Sequence, residues 1–192
     1  MNTAVLGGSF NPVHKGHIHL AKETLKRGFQ RVIFVPAAMA PHKAGLRGAS
    51  DTDRLKMLAL ALDDIPGAVL WNGEIRRGGI SYTIDTIREL KKTRWVEGKA
   101  GLIIGDDLVD DFSSWRESKC LLEEVQVIVA RRIEGGGISF NFPCLRLDNP
   151  IWPFSSSGVR QRIESGRIPE EWLPPAVAEY IRRAELYGYR KI

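Results

Sequence analysis

Short continuous apolar runs alternate along the chain with segments in which apolar residues recur every three or four positions. Six runs predict strands: Ala4 to Leu6, Val32 to Val35 closed by Pro36, Ala68 to Trp71 after a Pro66-Gly67 turn, Gly101 to Ile104, Val125 to Ala130 and Cys144 to Leu147. Between them the period changes. Ile18, Ala21 and Leu25 share a helical face, as do Leu55, Leu58 and Leu62 behind Ser50-Asp51-Thr52-Asp53, a capping box with Asp for Glu. Arg76 to Thr83 reads as a polar approach to a helix carrying Ile84, Ile87 and Leu90, and short helical pieces lie between Phe112 and Leu122. Two more helices close the chain, one behind Ser157 as its N-cap with Val159 and Ile163 inward, the other opened by Pro174-Pro175 with Val177, Tyr180, Ile181 and Ala184 on one face. Strands that are apolar throughout, rather than alternating, are buried on both faces. With helices between them they predict a parallel sheet in a doubly wound α/β fold.

Composition sharpens this picture without changing it. The 192 residues suit a single domain over 1–192, with a C-terminal helical part from about residue 155; 43% are apolar and 27% charged, ordinary for a packed core. No apolar run approaches the roughly 20 residues that cross a bilayer, and the N-terminus enters a strand with no basic or long apolar leader, so no membrane association is expected and a cytoplasmic protein is. Cys120 and Cys144 suggest neither a metal site nor a disulfide framework. A net charge of +5 suits an anionic ligand, but no basic run is interleaved with aromatics, so nucleic acid is not an expected partner.

Candidate chemistry concentrates where the first run ends. Gly7-Gly8-Ser9-Phe10-Asn11-Pro12-Val13-His14-Lys15-Gly16-His17 leads from strand to helix, so two histidines sit beside unpaired backbone N–H groups and the positive end of a helix dipole. That is an anion site. From these residues alone, His14 and His17 could serve phosphate chemistry, bind a metal or merely decorate the surface. The stretch is not a Walker A motif, which needs Gly-Lys-Ser/Thr after its spacer, nor a G-x-G-x-x-G dinucleotide fingerprint.

Near the other end of the chain stands Ser155-Ser156-Ser157-Gly158-Val159-Arg160. The two segments, in this order and each at a loop-to-helix junction, resemble the HxGH and ISSTxxR motifs of the nucleotidylyltransferase superfamily. Pro41-His42-Lys43, Arg54-Leu55, Ser81 to Thr86, Gly105-Asp106 with Phe112 and Trp115, Leu173-Pro174-Pro175, Tyr180-Ile181 and Leu186-Tyr187 extend the likeness over nearly the whole chain, to the bacterial nicotinate-nucleotide adenylyltransferases. The resemblance implies a Rossmann-like form of the doubly wound sheet. It also implies transfer of an adenylyl group from ATP to nicotinate mononucleotide, giving deamido-NAD and pyrophosphate, by direct in-line attack without a covalent enzyme intermediate.

The roles carried over follow from it. His17 would stabilise the α-phosphate and His14 the neighbouring phosphates; Ser156, Ser157 and Arg160 would grip the β- and γ-phosphates, and Gly8, Ser9 and Phe10 would present backbone to both substrates. Gly105 and Asp106 belong to the ATP side, Asp106 close to a ribose. Lys43, Tyr82, Thr83, Trp115 and Arg132 belong to the acceptor side, and Mg²⁺ would travel with ATP, held by phosphates and water. Departures from the family pattern are Ser9 and Asn11 for Thr and Asp, Ser157 for Thr, Phe154 for Ile, Ala38 and Ala40 in the loop after the second strand, and Arg132 followed by Ile133-Glu134-Gly135 rather than Pro-Gly. The rival readings are a sister nucleotidylyltransferase acting on nicotinamide mononucleotide or phosphopantetheine, and a non-catalytic nucleotide-binding module. The chain lacks the KMSKS-like loop of a class I aminoacyl-tRNA synthetase.

Overall fold

Strand β1 (Thr3–Gly8) is the axis from which the sheet spreads in both directions. In the computed structural model, which describes residues 2–38, 48–134 and 140–190, β1 pairs with β2 (Arg31–Pro36) on one side and with β4 (Ala100–Gly105) on the other. β3 (Ala68–Leu70) lies outside β2, while β5 (Val125–Ala130) and then β6 (Cys144–Leu147) extend beyond β4. The order is β3-β2-β1-β4-β5-β6 and every pairing is parallel. All six strands expected from the apolar runs are present.

Alternate residues along each strand feed two separate cores. Ala4, Leu6, Val32, Phe34, Ile103 and Ile128 face one side, against α1 (Lys15–Lys26), α2 (Asp51–Leu62), α6 (Ser156–Glu164) and α7 (Pro175–Arg183). Val5, Ile33, Val35, Leu102, Ile104, Val127 and Val129 face the other, against α4 (Thr83–Lys92) and α5 (Ser118–Glu124). Right-handed crossovers produce this division: connections running from β1 out to β3 and from β4 out to β5 put their helices on opposite faces. The crevice lies where the two directions part, above the carboxyl ends of β1 and β4.

Local chemistry accounts for most element boundaries. Ser50 caps α2 as expected: its hydroxyl accepts from Asp53 N at 3.1 Å and the Asp53 carboxylate accepts from Ser50 N at 3.2 Å. Pro174 precedes α7, with Pro175 at its first turn. Two expectations are corrected. The cap of α6 is Ser155, whose Oγ accepts from Gly158 N at 3.0 Å, and Ser157 lies inside the helix. An N-cap side chain satisfies the amide two or three residues on, which Ser155 does for Gly158; Val159 and Ile163 are buried as expected. Part of the polar approach before α4 is itself a helix, α3 (Gly73–Arg77), anchored by buried Glu74, which accepts from the Thr86 hydroxyl of α4. Burial pushes that carboxyl's pKa above its usual value. Among the described residues no helix is long and apolar enough to cross a membrane.

Candidate active site

A cavity of about 760 Å³ opens at the carboxyl edge of β1 and β4. Gly7, Gly8 and Ser9 from β1 and its loop, His14, Gly16 and His17 from the start of α1, and Ser155, Ser156, Ser157 and Arg160 from the start of α6 all line it. Two helix N-termini therefore face one space, and the two motifs found far apart in sequence are joined by contact. Ser156 Oγ donates to the Pro12 carbonyl at 2.9 Å and Arg160 Nη1 to the Asn11 carbonyl at 2.7 Å.

The histidine pair is built by α1's own geometry. His14 is the N-cap and His17 the third helical residue, so their rings meet at a tilt of 32° with centroids 3.8 Å apart, and His14 N donates to His17 Nδ1 at 3.2 Å. Gly16 is required beneath them, because a Cβ there would approach the His14 ring to 3.0 Å. Phe10, fully buried and at a left-handed φ of 45°, supports the assembly from below: its ring meets His17 edge-on at 4.9 Å, and a Cβ on Gly8 would lie 3.1 Å from it. Its side chain does not line the cavity.

Electrostatically the site is poised for anions. His14 is buried, and desolvation, aided by the Arg132 charge, lowers its pKa to about 3, so the imidazole is neutral near pH 7. A neutral imidazole still carries one N–H donor. Among the described residues, four arginines border the cavity. Arg54 is paired with Asp51 at 2.7 Å and Arg132 with Asp107 at 3.1 Å, and Arg131 lies 3.6 Å from Asp148. Arg160, spent only in part on the Asn11 carbonyl, has no carboxylate within ion-pair distance among the described residues and is the guanidinium best placed to receive a phosphate.

A family model described as cytidylyltransferase-like matches residues 5–162. The chain belongs to the cytidylyltransferase-like family. Curated relatives of this family member include a protein of Borreliella burgdorferi named probable nicotinate-nucleotide adenylyltransferase, 40% identical over 97% of both chains. Another, from Treponema pallidum and bearing the same name, is 35% identical over 97% of this chain and 99% of its own. Among solved structures, nicotinic acid mononucleotide adenylyltransferase of Plasmodium falciparum complexed with NaAD matches with a TM-score of 0.81 at 19% identity, covering 98% of each chain. A putative nicotinate-nucleotide adenylyltransferase of Vibrio parahaemolyticus gives 0.72 at 17% identity over 97% of this chain and 96% of that one. At such identities the structural matches speak for the fold, which is the Rossmann-like doubly wound sheet.

Within this family framework the cavity gathers Gly8, Ser9, His14, His17, Gly105, Arg132, Ser156, Ser157 and Arg160 of the residues expected at the site. Others fall elsewhere. Asp106 is committed to the backbone beyond β5, its carboxylate accepting from Arg132 N at 2.8 Å and Ile133 N at 3.4 Å, while its neighbour Asp107 faces the cavity. Arg132 crosses over Gly105 and its charge reaches His14, so it stands with the histidine side of the cavity. Tyr82 and Trp115 pack half-buried against the α4–α5 core, Trp115 beside Phe112 at 5.1 Å and Tyr82 under the Arg116 guanidinium at 4.7 Å. Thr83 opens α4 as its first helical residue. None of these three lines the cavity, and Lys43 lies outside the described residues together with Pro41 and His42.

Arg54, Asn11 and Tyr187 are positioned at the site although the sequence reading assigned them no role. Arg54, 5% exposed, donates to the Ser9 carbonyl at 2.7 Å and the Ala37 carbonyl at 2.8 Å, binding the loops after β1 and β2 together. Its signal was present in the text: Arg54 sits in register with Met57, Leu58, Ala61 and Leu62 on the buried stripe of α2, where an arginine needs fixed acceptors.

Proposed function

We propose that the chain transfers the adenylyl group of ATP to the phosphate of nicotinate mononucleotide, releasing pyrophosphate and forming deamido-NAD. The observation that carries this reading is the convergence of two helix N-termini, His14-x-Gly-His17 and Ser155 to Arg160, on one cavity at the switch point of the sheet. It is supported by relatives named for this reaction, similar over the whole chain.

The chemistry asks little of the protein beyond placement and charge. One phosphate attacks another, so two anions must be brought together and the charge growing on the leaving pyrophosphate neutralised. His17, at the mouth of α1, faces the α-phosphate and donates to its oxygens as they gain charge. His14 and the amides of the first turn hold the neighbouring phosphates, while Ser156, Ser157 and Arg160 receive the β- and γ-phosphates. Attack is direct and in line. The serines are engaged locally, Ser156 with the Pro12 carbonyl, Ser155 with Gly158 N and with Ser157 Oγ at 3.2 Å, which suits binding rather than nucleophilic roles. Tyr82, Thr83, Trp115 and Lys43 serve the acceptor, with the nicotinate ring against the Trp115 indole.

Magnesium enters this proposal with ATP. Among the described residues no three His, Cys, Asp or Glu side chains group as a metal cage, and Asp51, Asp106 and Asp107 are occupied by Arg54, backbone amides and Arg132. On this reading the ion is held mostly by phosphate oxygens and water, as the resemblance implies. Turnover of nicotinate and nicotinamide mononucleotides, compared side by side with ATP, tests the acceptor: a clear preference for the acid is expected, and a preference for the amide or activity with neither overturns it.

A further inference from the structure

The C-terminal turn reaches back across the molecule to the phosphate loop. Tyr187 OH donates to Asn11 Oδ1 at 2.8 Å, across 176 positions of sequence. The same oxygen accepts from Ala49 N at 3.1 Å, where the chain enters α2, so both its lone pairs are filled. Asn11 is therefore held by three donors, the Tyr187 hydroxyl and Ala49 N on its side chain and Arg160 Nη1 on its carbonyl. Residue 11 stands between Ser9 and His14 in the anion-binding loop.

Two further features mark this contact as constructed. The turn Leu186–Gly188 places Tyr187 at φ 59° and is preceded by Glu185 at φ 48°, two left-handed non-glycine residues in a span of three. Such a conformation is unfavourable for a side chain with a Cβ and persists where surrounding contacts over-determine it. A second tyrosine from the same end of the chain, Tyr180 on α7, donates to Asp53 Oδ1 at 2.8 Å, tying α7 to the capped start of α2. The phenol of Tyr187 is largely buried, and its pKa is raised by that burial, so it remains a hydroxyl donor at any working pH.

We propose that Tyr187 is a positioning residue for the triphosphate: acting through Asn11, it holds the β1–α1 loop in the shape that presents His14, His17 and the first amides of α1 to ATP. It does not itself line the cavity, and its effect is on nucleotide affinity rather than on the acceptor. The proposal rests on the nucleotide-binding part of the function given above and not on which acceptor is used.

Tyr187→Phe deletes one hydroxyl and keeps the ring. Three quantities are read for the native protein, Tyr187→Phe, Asn11→Ala and the double variant: the Kd for α,β-methylene-ATP, the KM for each substrate, and the melting temperature. Losing one hydrogen bond of ordinary strength predicts a Kd and an ATP KM weakened by about 5- to 10-fold in Tyr187→Phe. The mononucleotide KM stays within about twofold, and the double variant binds the analogue no worse than Asn11→Ala alone, as residues acting through one contact must. Analogue affinity within about threefold of native in Tyr187→Phe overturns the proposal, whatever happens to the melting temperature. So do losses that simply add in the double variant. Should the native protein bind the analogue yet turn over no nicotinate mononucleotide, the acceptor assignment fails while the Tyr187 comparison still decides on its own terms.

Discussion

His17 and His14 are the residues on which the reading turns, and they differ in what they can be asked to do. His17 stands half-exposed at the cavity, and removing one transition-state donor costs on the order of 10²-fold or more in kcat. His17→Ala is expected to lose that much in single-turnover assays at saturating ATP, and a near-native rate would remove it from the α-phosphate. His14 makes a prediction about pH. Its folded pKa, about 3, lies below the ordinary histidine value of 6.5, so as pH falls below 6.5 the unfolded chain takes up a proton that the folded protein refuses. Its contribution to stability is constant above pH 6.5 and declines between 6.5 and 3. Melting temperatures of the native protein and His14→Gln across that window should converge as pH falls. Parallel curves would mean that His14 titrates normally. That the two histidines share a face follows from their spacing of three on the first helical turn, and their rings do meet; spacing alone left metal binding open.

At the scale of elements, apolar periodicity carried most of the fold. Continuous runs located all six strands: β5, covered on both faces, is apolar at all but one position, and β6, at the sheet edge, keeps a short run interrupted by exposed Arg146. Helix starts were harder. Ser155, Ser156 and Ser157 are equally good caps by composition, and it is the bond from Gly158 N to Ser155 Oγ that marks the first as the cap. The five-residue α3 carries too few residues to show a period; it is held by the tertiary bond between Glu74 and Thr86. Asp106 carries a structural bond that the motif does not show: its carboxylate stitches β4's exit to the backbone after β5. A long-range clasp such as Tyr187 to Asn11 leaves no local pattern, and Arg54's place on the buried stripe of α2 signals a need for acceptors without naming Ser9, since the partners meet only when the sheet brings them together.

Across the whole molecule, the sheet order explains why two motifs at opposite ends of the chain share one cavity. β1 and β4 diverge at the switch point and α1 begins beside it; α6, α7 and the turn at 186–188 return to the same face, where α6 and the turn fasten onto the β1–α1 loop and α7 onto the start of α2. The fold thus builds a site with a positive dipole end on either side of an anion, the arrangement that passing an adenylyl group between phosphates requires. The most direct test of that claim is pyrophosphate release from ATP, followed with nicotinate mononucleotide present and then absent. Release that depends on the mononucleotide and matches deamido-NAD formed mole for mole is the predicted result; release indifferent to it, or none in either case, would contradict adenylyl transfer by this site.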